Sequence, residues 1–201
     1  MKNNDYLLPG IAAITVAILS PIYWLMEFSR GFDFNSQSYS AENLFVSEMG
    51  IPSFMFLLIG FLSIYIYYGL MKLLHDHYNY KKLDVFVTMV IFICIIFYLG
   101  TFLLEVYSYW SEEGINQSII TWLWVFCLIT FGIIDILLAV VLIKDREELS
   151  GYLKAFAIVN LVMGVFELTL FMSYMVIFIF PVVAALLAII FLKRPETIEI
   201  V

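Results

Sequence analysis

Apolar residues in this chain gather into long runs separated by short polar stretches. The runs cover residues 7–26, 51–71, 85–104, 119–143, 155–172 and 174–192. Each is close to the roughly 20 residues a helix needs to cross the hydrocarbon of a bilayer. The last two runs are divided by no Gly or Pro, only by Ser173 and Tyr174. As one helix, the stretch from Ala155 to Leu192 would extend roughly 60 Å at about 1.5 Å per residue, about twice the hydrocarbon thickness. It must fold back. The pattern therefore predicts an all-α, polytopic integral membrane protein: six transmembrane helices in one bundle, a single domain over residues 1–201. The first run continues to about Met26 without a small-x-small exit before Glu27, so it is expected to be retained as a span and not cleaved.

The one sizeable connection is predicted at 27–50. Its first half reads as irregular chain, through Ser29, Gly31, Asn35, Ser36, Gln37 and Ser38. From Ser40 a short amphipathic helix is expected, with Ser40 as its cap and Leu44, Phe45 and Met49 toward the bilayer. Gly50 would end it, and Pro52 suits the first turn of the second span.

Charge orients the bundle. With the N-terminus inside, Lys2, Lys72, Lys81, Lys82, Lys144, Arg146, Lys154, Lys193 and Arg194 all become cytoplasmic, and only Arg30 is left outside. Basic connections stay cytoplasmic during insertion, so both termini are expected inside and the cell membrane is the expected location. Aromatic residues fit the same frame. Tyr23, Trp24, Tyr107, Tyr109, Trp110, Trp122 and Trp124 fall at outer ends, and Tyr67, Tyr68, Tyr78, Tyr80 and Tyr152 near inner ends. They are expected to anchor the helices at headgroup level and not to form a ligand cage.

Composition sharpens the picture. The chain is 64% hydrophobic and 13% charged, against about a quarter charged in ordinary globular domains, which excludes a soluble fold. The net charge of −7 speaks against nucleic acid. Expected partners are membrane lipids and other membrane-protein subunits or a second copy. Cys94 and Cys127 lie inside apolar runs at different depths and read as hydrophobes.

Little conventional chemistry is available. The only histidines, His75 and His77, flank Asp76 in a connection. Haem, zinc hydrolase and Ser–His chemistry in a bundle usually need a histidine within the spans. No G-x-S-x-G, H-E-x-x-H, P-loop or dinucleotide pattern occurs, so no catalytic residue, metal or cofactor is expected. What remains is polar groups at depth: Asp135 in the fourth span, Asn160 and Glu167 in the fifth. A carboxylate there costs about 2.5–3.5 kcal/mol even on the lenient insertion scale, so these side chains should face the bundle interior. Counted from the inner ends of their runs, Asp135 lies about 12 Å and Asn160 about 8 Å deep, and the two are placed to hydrogen-bond. Asn160, Gly164 and Glu167 follow i, i+4, i+7 spacing on one face, and Gly164 would admit a close neighbour. These groups form either a polar pocket or proton-linked path, or interhelical bonds of about 0.6 kcal/mol each. The outer acids Glu27, Asp33, Glu42, Glu48, Glu105, Glu112 and Glu113 would attract cations, or are tolerated simply because bases are selected against there. Asn116–Ser118 matches a glycosylation sequon.

Two segments resemble an uncharacterised membrane family grouped as domain of unknown function 998. Glu42 to Gly50 is similar to its E-N-x-x-S-[DE]-[LM]-G signature, and Gly164 to Leu168 to its G-x-x-E-[LI] stretch. The resemblance implies six helices and a shared site containing Asn43, Ser47, Glu48, Gly50 and Glu167; it implies no reaction. Where such proteins often carry a His in the third outer connection, this chain has Asn116 and Gln117. Similar outer segments also occur in Frag1-like membrane proteins. The candidate binding residues are thus Asn43, Ser47, Glu48, Asp135, Asn160 and Glu167. The expected function is that of a non-enzymatic binding protein or accessory subunit of a membrane complex. The alternative is a small transporter or lipid-handling protein with an acidic intramembrane path.

Overall fold

The computed structural model describes residues 5–33, 38–39, 49–111, 117–144 and 150–193. The elements are helical: α1 (Leu7–Gly31), α2 (Ile51–Tyr78), α3 (Asp84–Cys94), α4 (Gly100–Trp110), α5 (Gln117–Lys144), α6 (Gly151–Leu168) and α7 (Val176–Leu192). A π-helical turn, Ile95–Leu99, joins α3 to α4 as one rod. A two-residue antiparallel bridge, Phe32–Asp33 with Ser38–Tyr39, comes after α1. Among the described residues six helices are long and apolar enough to cross a membrane, as the hydrophobic runs predict.

Several boundaries differ from the runs. Helix α1 continues through Glu27 to Gly31, so the irregular connection starts later than residue 27. Helix α6 starts at Gly151, four residues before its apolar run, because the Ser150 hydroxyl accepts from the Leu153 N–H at 3.4 Å and caps it. It also ends earlier, at Leu168. The reversal there needs neither Gly nor Pro. Thr169 leaves helical geometry while its hydroxyl donates to the Val165 carbonyl at 3.0 Å. A 3-10 turn, Leu170–Met175, is held by the Ser173 hydroxyl on the Leu170 carbonyl, and it leads into α7. Hydroxyls satisfy the carbonyls that a helix end leaves open.

Gly50 does not close a preceding helix within the described residues; it caps α2, with its N–H donating to the Ser53 hydroxyl at 3.3 Å and Pro52 in the first turn. At the other end Asn79 takes a left-handed conformation, φ 47°, and the chain turns into α3. His75 to His77 lie on the last turn of α2, not in a loop. His75 Nε2 is 2.6 Å from Asp84 Oδ1, and Asp76 accepts from the Tyr6 hydroxyl at 2.7 Å. Burial, then that hydrogen bond, push the Tyr6 phenol above its ordinary value.

Packing joins sequence neighbours and also brings the first helix against the last. Helix α1 lies between α2 and α7, and α5 pairs with α6. In the α5–α6 pair Gly132 faces Gly164 and Asp135 meets Asn160, so the two helices run antiparallel. A Cβ on Gly164 would sit 2.8 Å from the Gly132 carbonyl oxygen, and one on Gly132 2.9 Å from that of Gly164. Only glycine at both positions allows this approach, which is the role expected of Gly164. Leu70, Leu138, Leu153 and Phe156 fill the interior, while Leu8, Leu25, Ile51, Phe92 and Phe178 face outward, as they must if lipid surrounds the bundle. Cys94 and Cys127 are buried and free.

Candidate functional site

The close α5–α6 contact brings the predicted polar residues of these two helices to one place. Asp135, Asn160 and Glu167 are buried to 1%, 0% and 5% exposure. Asn160 Nδ2 donates to the Asp135 backbone carbonyl at 3.3 Å. Glu167 packs against α5 at Gly132, its Cβ 3.1 Å from where a Cβ on that glycine would sit, one turn from Asp135 on the same face. Two ionised carboxylates at this place would offer only acceptors to each other and would repel. Three oxygens remain without a partner among the described residues: Asp135 Oδ1, Asn160 Oδ1 and Glu167 Oε2.

The two acids form the floor of a cavity of about 430 Å³, together with Ser63, Tyr67 and Cys94. Aromatic rings make its walls: Tyr23 and Trp24 from α1, Phe56 from α2, Phe97 and Tyr98 from the π turn, Trp124 from α5. The rings pack on one another. Phe56 and Trp124 stack at 6.0 Å between centroids, Phe97 meets Trp124 edge-on at 4.8 Å, and Phe56 lies 4.6 Å from Tyr98. Glu27, Phe28, Ser173 and Tyr174 line it at the end of the bundle where α1 stops and α2 begins.

The π turn matters to this geometry. One extra residue in a helical turn changes the facing of every side chain beyond it, and such turns recur at functional sites. Here it points two successive rings, Phe97 and Tyr98, at the cavity. Gly60 opposite leaves the room: a Cβ there would fall 2.4 Å from Tyr98 Cβ.

Three sequence expectations are corrected. Tyr23, Trp24, Tyr67 and Trp124, expected as headgroup anchors and not around a ligand site, line the cavity; Tyr107, Tyr109, Trp110 and Trp122 are exposed. Glu27, expected on the acidic outer connection, is buried on α1 at 5% exposure. His75 and His77, expected in a connection, belong to the end of α2. The lining was partly readable: Ser20, Tyr23, Trp24 and Glu27 follow i, i+3, i+4, i+7 spacing and share one helix face. Phe97 and Tyr98 carry no such pattern, because the π turn breaks the period.

Asn43, Ser47 and Glu48 lie outside the described residues, as do the amphipathic segment from Ser40 and the sequon at Asn116. Among the described residues no group of three or more His, Cys, Asp or Glu could hold a metal ion. Comparison of the chain with family models, curated proteins and solved structures returns no match.

Proposed function

We propose that this protein is a binding protein of the cell membrane that holds a small apolar or amphipathic molecule within its helical bundle, as a carrier or transporter does. One observation carries the reading: a cavity of about 430 Å³ with aromatic walls and two buried carboxyl groups at its floor. Ligand pockets are typically about 300–1,000 Å³, mostly apolar, with a few convergent polar groups. Interhelical bonding alone accounts for the Asn160 contact, but not for the space above the acids. The family resemblance points the same way, since Glu167 belongs to its second segment and lies on the floor. The reading is of binding and not of a reaction. With both termini cytoplasmic, as the charge distribution favours, the cavity is lined at its outer end by Glu27 and Tyr174.

The test is purification in mild detergent, then mass spectrometry of small molecules released on denaturation. The comparison is Ser20→Phe, which places a ring in the cavity from the α1 wall. The wild type should release a molecule that the variant lacks. If folded wild type and variant release the same molecules, the cavity does not bind and the reading fails.

A further inference from the structure

We propose that the ligand is an organic cation, a protonated amine on an apolar body, and that it binds in exchange for the proton between Asp135 and Glu167. The inference rests on the cavity being a binding site and names the class of molecule that site takes.

The floor offers acceptors. Asp135 Oδ1 and Glu167 Oε2 are buried, belong to residues that line the cavity, and lack a partner among the described residues; Asn160 Oδ1 beside them is in the same state. An unsatisfied buried polar atom is costly, so a ligand that donates several hydrogen bonds is favoured over one that accepts them. Among the described residues no Lys, Arg or His lines the cavity, so none of their cations sits beside the acids. The walls suit the same ligand, because the faces of Trp24, Trp124 and Phe56 attract positive charge and accommodate an apolar body.

Charge balance gives the exchange. On this proposal the pair without ligand carries one proton and one negative charge, because two like charges buried in one cavity disfavour double ionisation. An ammonium arriving beside it takes over the second carboxylate, and the proton leaves for bulk water. The overall step is an ammonium plus the singly protonated pair giving an ammonium between two carboxylates plus a free proton; charge is conserved. The other ionisable groups facing the floor are Tyr67 from α2, Cys94 from α3 and Tyr98 from the π turn, with Tyr23 and Glu27 of α1 and Tyr174 farther along the cavity. Cys127 of α5 lies near Cys94. None of these is a base able to hold the proton as a cation.

The experiment is calorimetric titration of the full chain in detergent with phenethylamine and, separately, phenethyl alcohol, which matches its shape without the charge. Each is run in two buffers of different ionisation enthalpy, so that proton release is counted. Phenethylamine should bind at least about tenfold more tightly than the alcohol, the order of a buried charge contact. It should release up to one proton per site, and its affinity should rise with pH by up to about tenfold per unit. Glu167→Gln and Asp135→Asn should each abolish the proton release and weaken amine binding. If the alcohol binds as tightly as the amine, the cation assignment falls while the binding reading stands. Amine binding without proton release, or binding unchanged in both variants, overturns the exchange. If neither probe binds, and wild type and Ser20→Phe release the same molecules, both readings fall. Should either variant fail to fold, proton release and pH dependence of the wild type decide.

Discussion

Glycine at 132 and 164 does as much for the site as the acids do, because it sets how near α5 comes to α6. A Cβ at Gly164 would meet the Gly132 carbonyl oxygen and the Ile136 backbone nitrogen, 3.1 Å away, and backbone cannot step aside as a flexible side chain can. Gly164→Ala should therefore separate the helices and destabilise the protein by about 1–3 kcal/mol, the usual range for overpacking. Gly151→Ala, where nothing lies within 4 Å, should leave stability nearly unchanged. Thermal unfolding in detergent compares the two. A second residue-scale prediction concerns Tyr6. Its folded phenol is raised above the ordinary value of about 10 by burial and then by Asp76. The folded state thus holds that proton more tightly than the unfolded chain. Its contribution is level below pH about 10 and declines as pH rises beyond it. Tyr6→Phe should cost about 0.5 kcal/mol, since the bond is open to solvent, and should flatten the decline. Chemical unfolding at neutral and alkaline pH measures both.

At the scale of elements, the π turn at Ile95–Leu99 is the feature that could be removed cleanly. Deleting Ile96 should restore a regular α-helix and turn residues 97 and 98 about its axis, while α4 beyond keeps nearly its facing relative to α3, because the π turn is where the extra residue is absorbed. Helical content by circular dichroism should persist, because the backbone bonds are remade one residue back. Phe97 and Tyr98 would no longer both face the cavity, so the shift in tryptophan fluorescence expected when phenethylamine reaches Trp24 and Trp124 should vanish. A variant that keeps the full fluorescence change would show that the ring placement does not depend on the turn. The reversal between α6 and α7 is a second place where side chains, not helix-breaking residues, shape an element. A turn without Gly or Pro formed because Thr169 and Ser173 return hydroxyls to helix carbonyls.

For the whole molecule, the charge pattern predicts which side each connection faces. The two native thiols are buried, so labelling background is low. A cysteine at Ser36 or Glu113 should react with an impermeant reagent added outside intact cells, and one at Lys81 should react only after permeabilisation. Lys81 is preferred to Asn79, whose left-handed backbone disfavours a cysteine. Labelling of Lys81→Cys from outside would reverse the topology and place the cavity's outer end inside the cell. The exposed apolar residues along the helices, among them Leu25, Phe61, Phe92 and Phe178, set the surface that any surrounding lipid or second subunit would cover.

The six helices long and apolar enough to cross a membrane were determined by the sequence alone, because a hydrophobic run of that length has one low-energy arrangement in lipid: a helix that satisfies its own backbone. The burial of Asp135, Asn160 and Glu167, and the stripe through Gly164, were also legible, since a carboxylate facing lipid is costly and the stripe depends only on the period of one helix. Tertiary structure decided the surroundings of these groups. Whether Trp24 and Trp124 touch lipid or a cavity depends on how far each helix rotates about its axis, and that rotation is set by contacts between distant segments such as Gly60 with Tyr98. Aromatic residues near helix ends gain by burial at either place, so apart from the face that Trp24 shares with Ser20, Tyr23 and Glu27, their type and position leave the two outcomes equal in sequence. The packing of six helices broke that equality, and with it turned a pair of buried acids into the floor of a pocket.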